Sequence, residues 1–217
     1  NDENSKTIPT ILPYIVYDYG TGIYGIHNYS HILETYNIFR DTPSDVHAKS
    51  QKKLSSTLKI NREFVAYNGN IKYQTNLYNQ FFNVEDKKFE NGYINTNLFR
   101  TFAIFGVDYE TPFRLKNNYK NFLYTPKLSF VVSPGASNSG KISNEDSSVN
   151  SYIIENNILL NRFTGNDKLD NSKRVNAQFN ITNANFDMNL LQTYEFTNNS
   201  NYHYKNGNEK KLSDFLG

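Results

Sequence analysis

Apolar and polar residues alternate with a period of two along most of this chain, and no other feature constrains its fold as strongly. In residues 71–77, lysine, glutamine and asparagine stand between isoleucine, tyrosine, threonine and leucine. The pattern recurs at 58–64, 122–133, 174–181 and 186–196, and less cleanly at 11–19, 23–39 and 93–111. Successive side chains of a β-strand point to opposite faces, so each segment predicts a strand with one apolar face. We therefore predict an all-β, antiparallel chain of about eight strands.

The predicted connections between these strands alternate in length. Three are tight turns rich in residues that tolerate positive φ, at Asp18–Gly22, Tyr67–Asn70 and Thr182–Asn185. Longer polar links lie at Asp41–Lys53, Val84–Gly92, Pro134–Leu169 and from Thr197 onward, and an intermediate one at Leu115–Asn121 falls where a short one is due. Up-and-down transmembrane β-barrels alternate short turns and long loops in this way, so we predict part of such a barrel.

The composition is compatible with a barrel wall, although the mean hydropathy is only −0.68. No run approaches the roughly 18 apolar residues of a membrane helix, whereas a barrel strand needs an apolar residue only at every second position. The chain has 16 Phe and 17 Tyr, and 20% of its residues are charged. Two alternatives stay open on pattern alone: another outer-membrane barrel, such as a porin or TonB-dependent transporter, and a soluble β-sandwich carbohydrate-binding module.

The residues that usually carry catalysis or bind metals are sparse. The chain has no Cys, and a net charge of +2 gives no indication of nucleic-acid binding. His27 and His31 would lie about 13 Å apart on one strand, too far to share a metal. His47 and His203 have no second ligand nearby in sequence. We predict no enzyme activity, no cofactor and no metal site.

One short motif imitates a nucleotide-binding loop. Residues 135–141 read Gly-Ala-Ser-Asn-Ser-Gly-Lys after an apolar run. A phosphate-binding loop requires Ser or Thr after the lysine, to bind magnesium, and the residue here is Ile142. It also requires a helix directly afterwards, yet the next residues are Ser143–Ser148, a loop composition. The motif is better interpreted as a polar surface loop.

The same region, read to Lys168, resembles the family of LptD, the lipopolysaccharide-assembly outer-membrane protein (organic solvent tolerance, or OstA-type, barrel domain). The resemblance rests on a block of residues at fixed spacing: Pro134, Gly135, Ser137, Asn138, Ser139, Asn144, Glu145, Asp146, Ser147, Asn161, Arg162, Phe163, Gly165 and Asp167. Flanking matches are Ile8–Tyr17, Leu54–Tyr78, Gly106–Phe113, Tyr124–Pro126, Tyr194–Phe196 and Leu212–Gly217. The chain departs from the family at Ser143, where Pro is frequent, and at Lys168, where Arg is usual.

The resemblance implies a role in inserting lipopolysaccharide into the outer leaflet of a Gram-negative outer membrane. It implies that residues 1–217 are an internal part of the barrel domain, with the long loop 134–169 inside it and no periplasmic jelly-roll domain. Because the chain begins at Asn1 rather than Met, we expect a fragment. The implied partners are lipopolysaccharide, outer-membrane lipid, a small plug lipoprotein (LptE-like) and a periplasmic bridge (LptA-like).

Two hypotheses concern charged residues. Arg162 is expected to pair with Asp146, Glu145 or Asp167 and so hold the long loop inside the barrel lumen; the alternative is an exposed arginine. Lys59, Lys72, Lys127 and Arg174 share the polar parity of their strands, which makes them candidate lumen cations. They would attract lipopolysaccharide phosphates, or else form a solvated lining without a selected partner.

Overall fold

The computed structural model describes residues 5–24, 26–117, 120–134, 138–147, 158–197 and 212–213. Within these residues a short 3-10 turn, Ser5–Thr7, precedes nine β-strands. The strands are β1 Thr10–Tyr24, β2 His27–Phe39, β3 Ser50–Ala66, β4 Gly69–Phe89, β5 Gly92–Glu110, β6 Phe113–Asn117, β7 Lys120–Val132, β8 Lys173–Asn183 and β9 Phe186–Glu195. No helix in the described part of the chain is long and apolar enough to span a membrane.

All strands belong to one antiparallel sheet in which neighbours in sequence are neighbours in space. The short strand β6 lies outside this simple order, because it pairs with the first half of β7 while β5 pairs with the second half. Pro112 separates β5 from β6, and a proline has no N–H to donate to a ladder. β5 and β6 therefore occupy the same position in the sheet, next to β7, and are interrupted at Pro112. The prediction of an all-β antiparallel chain of about eight strands is confirmed.

The sheet is open, with β1 at one edge and β9 at the other. The outer edge of β9 carries a short piece of pairing, since Leu212 bridges Tyr194 and Ser213 N–H donates to Thr193 O at 2.8 Å. The chain thus returns to the sheet after β9.

The observed connections correct four of the predicted ones. Leu115–Asn121 lies mostly within β6 and β7, with residues 118–119 between them, and Asp41–Lys53 overlaps β3, which begins at Ser50. Asp18–Gly22 is not a turn but lies inside β1, where a register shift between Asp18 and Thr21 accommodates it. Val84–Gly92 is not a long loop, because β4 and β5 remain paired up to Phe89 and Gly92 after a register shift near Asp86. Beyond Glu85 this hairpin has no β3 neighbour. The side chain that this part of β4 buries is Lys87, a charged residue, so the sequence there carries no apolar alternation.

Connections of two residues lie at one end of the sheet, between β1 and β2, β3 and β4, β6 and β7, and β8 and β9. The opposite end carries the projecting β4–β5 hairpin and two long connections, residues 40–49 and 133–172. Short connections therefore lie at one end of the sheet and long ones at the other, as the alternation in length predicted, except for the β4–β5 turn.

The two faces of the sheet are inverted relative to a soluble sandwich. The apolar parity faces outward and is exposed: Phe99 is 72% accessible, and its row neighbours Leu54 and Phe81 are exposed as well. Much of the polar parity is buried beneath residues 138–147 and 158–170, so that the ammonium-bearing Lys53 is only 1% accessible. We call these the apolar face and the polar face.

Small apolar clusters fix the long β7–β8 connection, residues 133–172, to the polar face. Leu160 and Leu169 pack in one cluster with Tyr78, Phe102, Ile104 and Val131. Ile142 packs in another with Ala48, Phe82 and Val84. Gly106, on β5, leaves the space that the Leu160 side chain occupies, since a Cβ there would collide with Leu160 Cδ2.

Replacing Gly106 with Val should displace Leu160 and loosen the β7–β8 connection, because a close-packed site cannot accept the added volume. We expect trypsin to cleave after Arg162 and Lys168 several-fold faster than in the parent protein. Gly92→Val is the matched control, since nothing lies within 4 Å of a Cβ at that position. Equal cleavage rates for the two variants would contradict this packing.

Candidate functional site: the polar face and the connection that covers it

The centre of the site is a buried lysine surrounded by three carboxylates. Lys53 Nζ, on β3, lies 2.9 Å from Asp167, 3.1 Å from Asp146 and 3.5 Å from Glu34. Its partners come from the β7–β8 connection and from β2. A buried ammonium is tolerated only when it is paired, so these contacts position the connection on the sheet.

The two connection carboxylates also organise the backbone around them. Asp167 accepts hydrogen bonds from Tyr36 Oη at 2.9 Å and from Glu145 N–H at 2.8 Å. Asp146 in turn accepts from the N–H groups of Asn166 and Asp167. The reciprocal bonds hold residues 145–146 against 166–167 as one compact unit.

Burial and charge shift the pKa values of these two acids in opposite directions. Burial raises the pKa of Asp167, which the nearby Asp146 carboxylate raises further and Lys53 only partly offsets. Burial would also raise the pKa of Asp146, but Lys53, Ser147 and two backbone N–H groups outweigh it and lower that pKa. One ammonium facing several carboxylates therefore keeps Asp146 ionised more firmly than Asp167.

Side-chain amides on the strands bind the backbone of the connection. Gln51 donates to Ser143 O and accepts from Ser143 N–H, both at 2.9 Å, as a neighbouring strand would. Gln80 and Arg100 both donate to Asn166 O, at 3.0 and 2.8 Å. Backbone groups that leave a sheet require such partners when they are buried. The strands thus supply a template for a loop that has no regular structure of its own.

A second charge cluster ties the end of the connection to β8 and β9, and it corrects the predicted pairing of Arg162. The guanidinium of Arg162 contacts Asp170 at 2.5 Å and Glu195 at 3.0 Å, not Asp146, Glu145 or Asp167. Arg174 shares Asp170 with it at 2.9 Å. The named partners of Arg162 were therefore wrong, and the prediction that it holds the long loop inside a barrel lumen stays a prediction.

The predicted partners of Arg162 are taken by other cations. Asp146 and Asp167 pair with Lys53, while Glu145 pairs with Arg40 at the end of β2. Separation in sequence does not predict which cation each acid contacts, because side chains of the sheet determine the path of a long connection across it.

The other residues of the predicted block serve the internal structure of the connection. Asn138 exchanges two hydrogen bonds with the Leu169 backbone, and Asn144 does the same with Ser147. Asn161 links Gly165 O to Asp170 N–H. Phe163 is buried and Ser139 accepts from Lys141 N–H, whereas Pro134 is exposed just after β7; Gly135 and Ser137 lie outside the described residues.

Gly165 is required by packing. A Cβ at this position would overlap Asp146, whose carboxylate lies against the glycine backbone. This explains why a glycine stands between Arg162 and Asp167 in the predicted block.

The four candidate lumen cations all lie on the polar face but differ in their surroundings. Lys59 and Lys72 occupy polar-face positions on β3 and β4. Lys127 pairs with Asp108 at 3.3 Å. Arg174 is buried under the connection with Asp170 and therefore does not line an open channel.

Several important residues escaped the sequence analysis. Lys53, Gln51 and Arg40 fell in or beside a predicted polar link, although β3 begins at Ser50. Nothing in the sequence distinguishes three others from the remaining polar-parity residues of their strands: Gln80, Arg100 and Glu195. The sequence did contain a pattern that predicts the start of β3. Its alternation continues through four polar-parity residues: Gln51, Lys53, Ser55 and Thr57. Within the described residues, no group of three or more His, Asp or Glu side chains is placed to hold a metal.

Lys53→Met should strongly destabilise the protein, because it leaves three carboxylates without their shared cation. We expect a loss of about 3–5 kcal/mol in the free energy of unfolding, the usual cost of breaking a buried ion pair from one side. Lys59→Met, an exposed lysine on the same face of the same strand, should change it by less than about 0.5 kcal/mol. Urea titration of refolded protein, followed by far-UV circular dichroism, measures both; similar losses would contradict the assignment.

A double-mutant cycle checks the partner of Arg162. Arg162→Gln and Glu195→Gln should show a coupling energy of at least about 1 kcal/mol, because their side chains share a buried contact. Arg162→Gln with Asp146→Asn should be additive to within about 0.5 kcal/mol. The reverse result would restore the pairing expected from sequence.

Comparison with known proteins agrees with the sequence resemblance. The family model described as "LptD: LPS transport system D" matches residues 1–217, the whole chain. Comparison with curated proteins finds no matching sequence. The chain belongs to the LptD family of lipopolysaccharide transport proteins.

Proposed function

We propose that residues 1–217 form part of the wall of an outer-membrane β-barrel that inserts lipopolysaccharide into the outer leaflet. Membership of the LptD family supports a role in lipopolysaccharide transport. A transport protein needs no catalytic group, and the proposed contribution of this chain is to separate lipid from an aqueous lumen. The rest of the barrel, lipopolysaccharide, an LptE-like plug lipoprotein and an LptA-like bridge are the proposed partners.

The observation that carries this proposal is the band of apolar residues on the outward face. On β3 the band runs from the row of Phe64, Ile71 and Tyr109 to the row of Leu54, Phe81 and Phe99. These rows are ten residues apart along β3. At roughly 3.3 Å per residue and a tilt of about 40°, the band is about 25 Å tall, the height of the apolar belt of outer-membrane barrels.

Polar rows bound this band. Lys52, Asn83 and Asn97 form the next outward row beyond Leu54, and Asn83 donates to Asn97 at 2.8 Å. At the other end, Tyr109 Oη donates to Tyr67 O in the β3–β4 turn, placing a tyrosine at the border as membrane interfaces favour. An exposed apolar belt between polar rims fits a lipid bilayer better than a protein core.

Polar groups inside the band have local partners. Thr101 donates to Asn79 at 3.0 Å in the row next to that of Leu54, Phe81 and Phe99. Arg62, on the apolar parity of β3, lies over the Phe64 ring with 5.2 Å to the centroid. These contacts reduce the cost of polar side chains that face lipid.

The polar face supports the assignment of a lumen. Its charges are compensated by the β7–β8 connection, which would then lie inside the barrel. Lys59, Lys72 and Lys127 would line the lumen and contribute positive potential along the lipopolysaccharide route. A soluble β-sandwich would instead bury the apolar face and expose the charges.

Phe105→Arg tests the proposal, because it puts a charge near the middle of the apolar band. We expect it to cost about 2–4 kcal/mol of insertion free energy in bilayers, lower the amount of assembled protein, and reduce lipopolysaccharide at the cell surface. Asn97→Arg is the control on the same strand and face, one row beyond the band, and should cost less than about 1 kcal/mol. Equal costs, or a water-soluble monomeric parent protein, would overturn the proposal.

A further inference from the structure

We propose that Arg62 and its neighbours on the apolar face bind the phosphate of a glycerophospholipid. The site lies at the end of the sheet that carries the two-residue connections, one row inside the end of the apolar band. The inference rests on the proposed function, because it assigns a lipid to one position on the proposed barrel wall. The short turns of outer-membrane barrels lie on the periplasmic side. The ligand therefore belongs to the periplasmic leaflet, opposite the leaflet that receives lipopolysaccharide.

Side chains of three neighbouring strands form the site. Arg62, on β3, pairs with Tyr73 on β4. His27, on β2, lies in the same row on the other side of β3, since Asn28 pairs with Asn61. Tyr73 Oη lies 2.5 Å from His27 Nδ1, and the centroids of the two rings are 5.7 Å apart. This contact joins β2 to β4 across β3, so both rings lie beside the Arg62 side chain.

The guanidinium of Arg62 is directed toward the end of the band. Its Cζ atom lies 5.2 Å from the ring centroid of Phe64, which belongs to the last apolar row before the β3–β4 turn. At roughly 3.3 Å per residue and a tilt of about 40°, the row of Arg62 is only about 5 Å inside that limit. An arginine side chain can keep its stem among apolar groups over this depth while its charge reaches the lipid headgroups.

Within the described part of the chain, no carboxylate lies within ion-pair distance of Arg62. The acids nearest to it in the ladder point to the polar face. Glu63 accepts a hydrogen bond from Asn70, and Asp108 pairs with Lys127 at 3.3 Å. A cation that faces lipid without a counter-ion is costly. A phosphate diester supplies the missing negative charge and oxygens that match the guanidinium fork.

His27 provides a second donor. A tyrosine hydroxyl that donates to Nδ1 leaves the imidazole proton on Nε2. Among the described residues, Nε2 has no hydrogen-bond partner. The Nε2–H group can therefore donate to one phosphate oxygen while the guanidinium binds others.

The surroundings favour a lipid over a free phosphate ion. Val107, in the row of Arg62, and Phe105, in the next row of the band, are both exposed apolar residues. A lipid whose phosphate lies at Arg62 would place its acyl chains along them, whereas an inorganic ion would leave them uncovered.

Native mass spectrometry of the full-length protein, titrated with lipid in detergent micelles, tests the inference. The probes are phosphatidylglycerol, phosphatidylethanolamine, diacylglycerol with the same acyl chains, and inorganic phosphate. Arg62→Gln removes the charge, Arg62→Lys keeps the charge but not the fork, and His27→Phe keeps the aromatic ring but not the donor. Lys59→Gln is the matched control, because it removes one positive charge from the same strand on the opposite face.

Both phospholipids should bind at least about tenfold more weakly to Arg62→Gln, with a smaller loss for Arg62→Lys and for His27→Phe, and with Lys59→Gln unchanged. Three results would each overturn the inference: unchanged binding by Arg62→Gln, diacylglycerol binding as tight as that of the phospholipids, or displacement of the phospholipids by an equal concentration of inorganic phosphate. An unchanged lipid count with release of another subunit from the Arg62→Gln complex would also overturn it, by assigning this row to a protein contact.

Failure of this site is distinct from failure of the proposed function. Membrane insertion is measured independently with Phe105→Arg and Asn97→Arg. A parent protein that inserts normally but shows no dependence of phospholipid binding on Arg62 refutes the lipid site and leaves the barrel wall in place.

Discussion

The structure depends on the pairing of charges on a buried polar face. In a water-soluble sheet the polar face meets solvent and needs no partner, but here it lies under a connection of the same chain. Taking a charge out of water costs several kcal/mol unless an opposite charge and hydrogen bonds replace the water. Lys53, Arg100 and Arg174 meet this requirement with acids, amides and carbonyls from the connection. The connection is consequently part of the folded core.

This arrangement reverses the usual division between core and loop. The apolar clusters beneath the connection are small, and each includes residues of the connection itself. Much of the apolar surface instead lies on the outward side of the strands. An exposed apolar band of this kind is what the proposed position in a bilayer requires, because lipid would then cover the band without protein.

Alternation in sequence is enough to predict the strands and their two faces. Phe130 and Val175 were placed on the apolar parity and pair outward, while Lys127 and Arg174 were placed on the polar parity and face inward. The fixed spacing of the block at 134–168 also located the connection that matters. These predictions succeed because strand geometry converts sequence parity directly into direction.

Long-range partners could not be predicted in this way. The acids nearest to Arg162 in sequence turned out to serve Lys53 and Arg40, because no local rule sets how a forty-residue connection crosses a sheet. The extent of β4 was missed for a related reason, since the side chain that β4 buries beyond Glu85 is the charged Lys87, which leaves no pattern of hydrophobicity. Both errors concern tertiary geometry, not local propensity.

The bond between Tyr36 and Asp167 spans 131 residues of sequence, and this separation has a kinetic consequence. Contacts between distant parts of a chain form late, because closing a large loop costs entropy before any interaction compensates. During synthesis, Lys53 lacks two of its three carboxylate partners until Asp146 and Asp167 have been added to the chain. The charge pairs that fix the connection to the sheet are therefore expected to form late in folding.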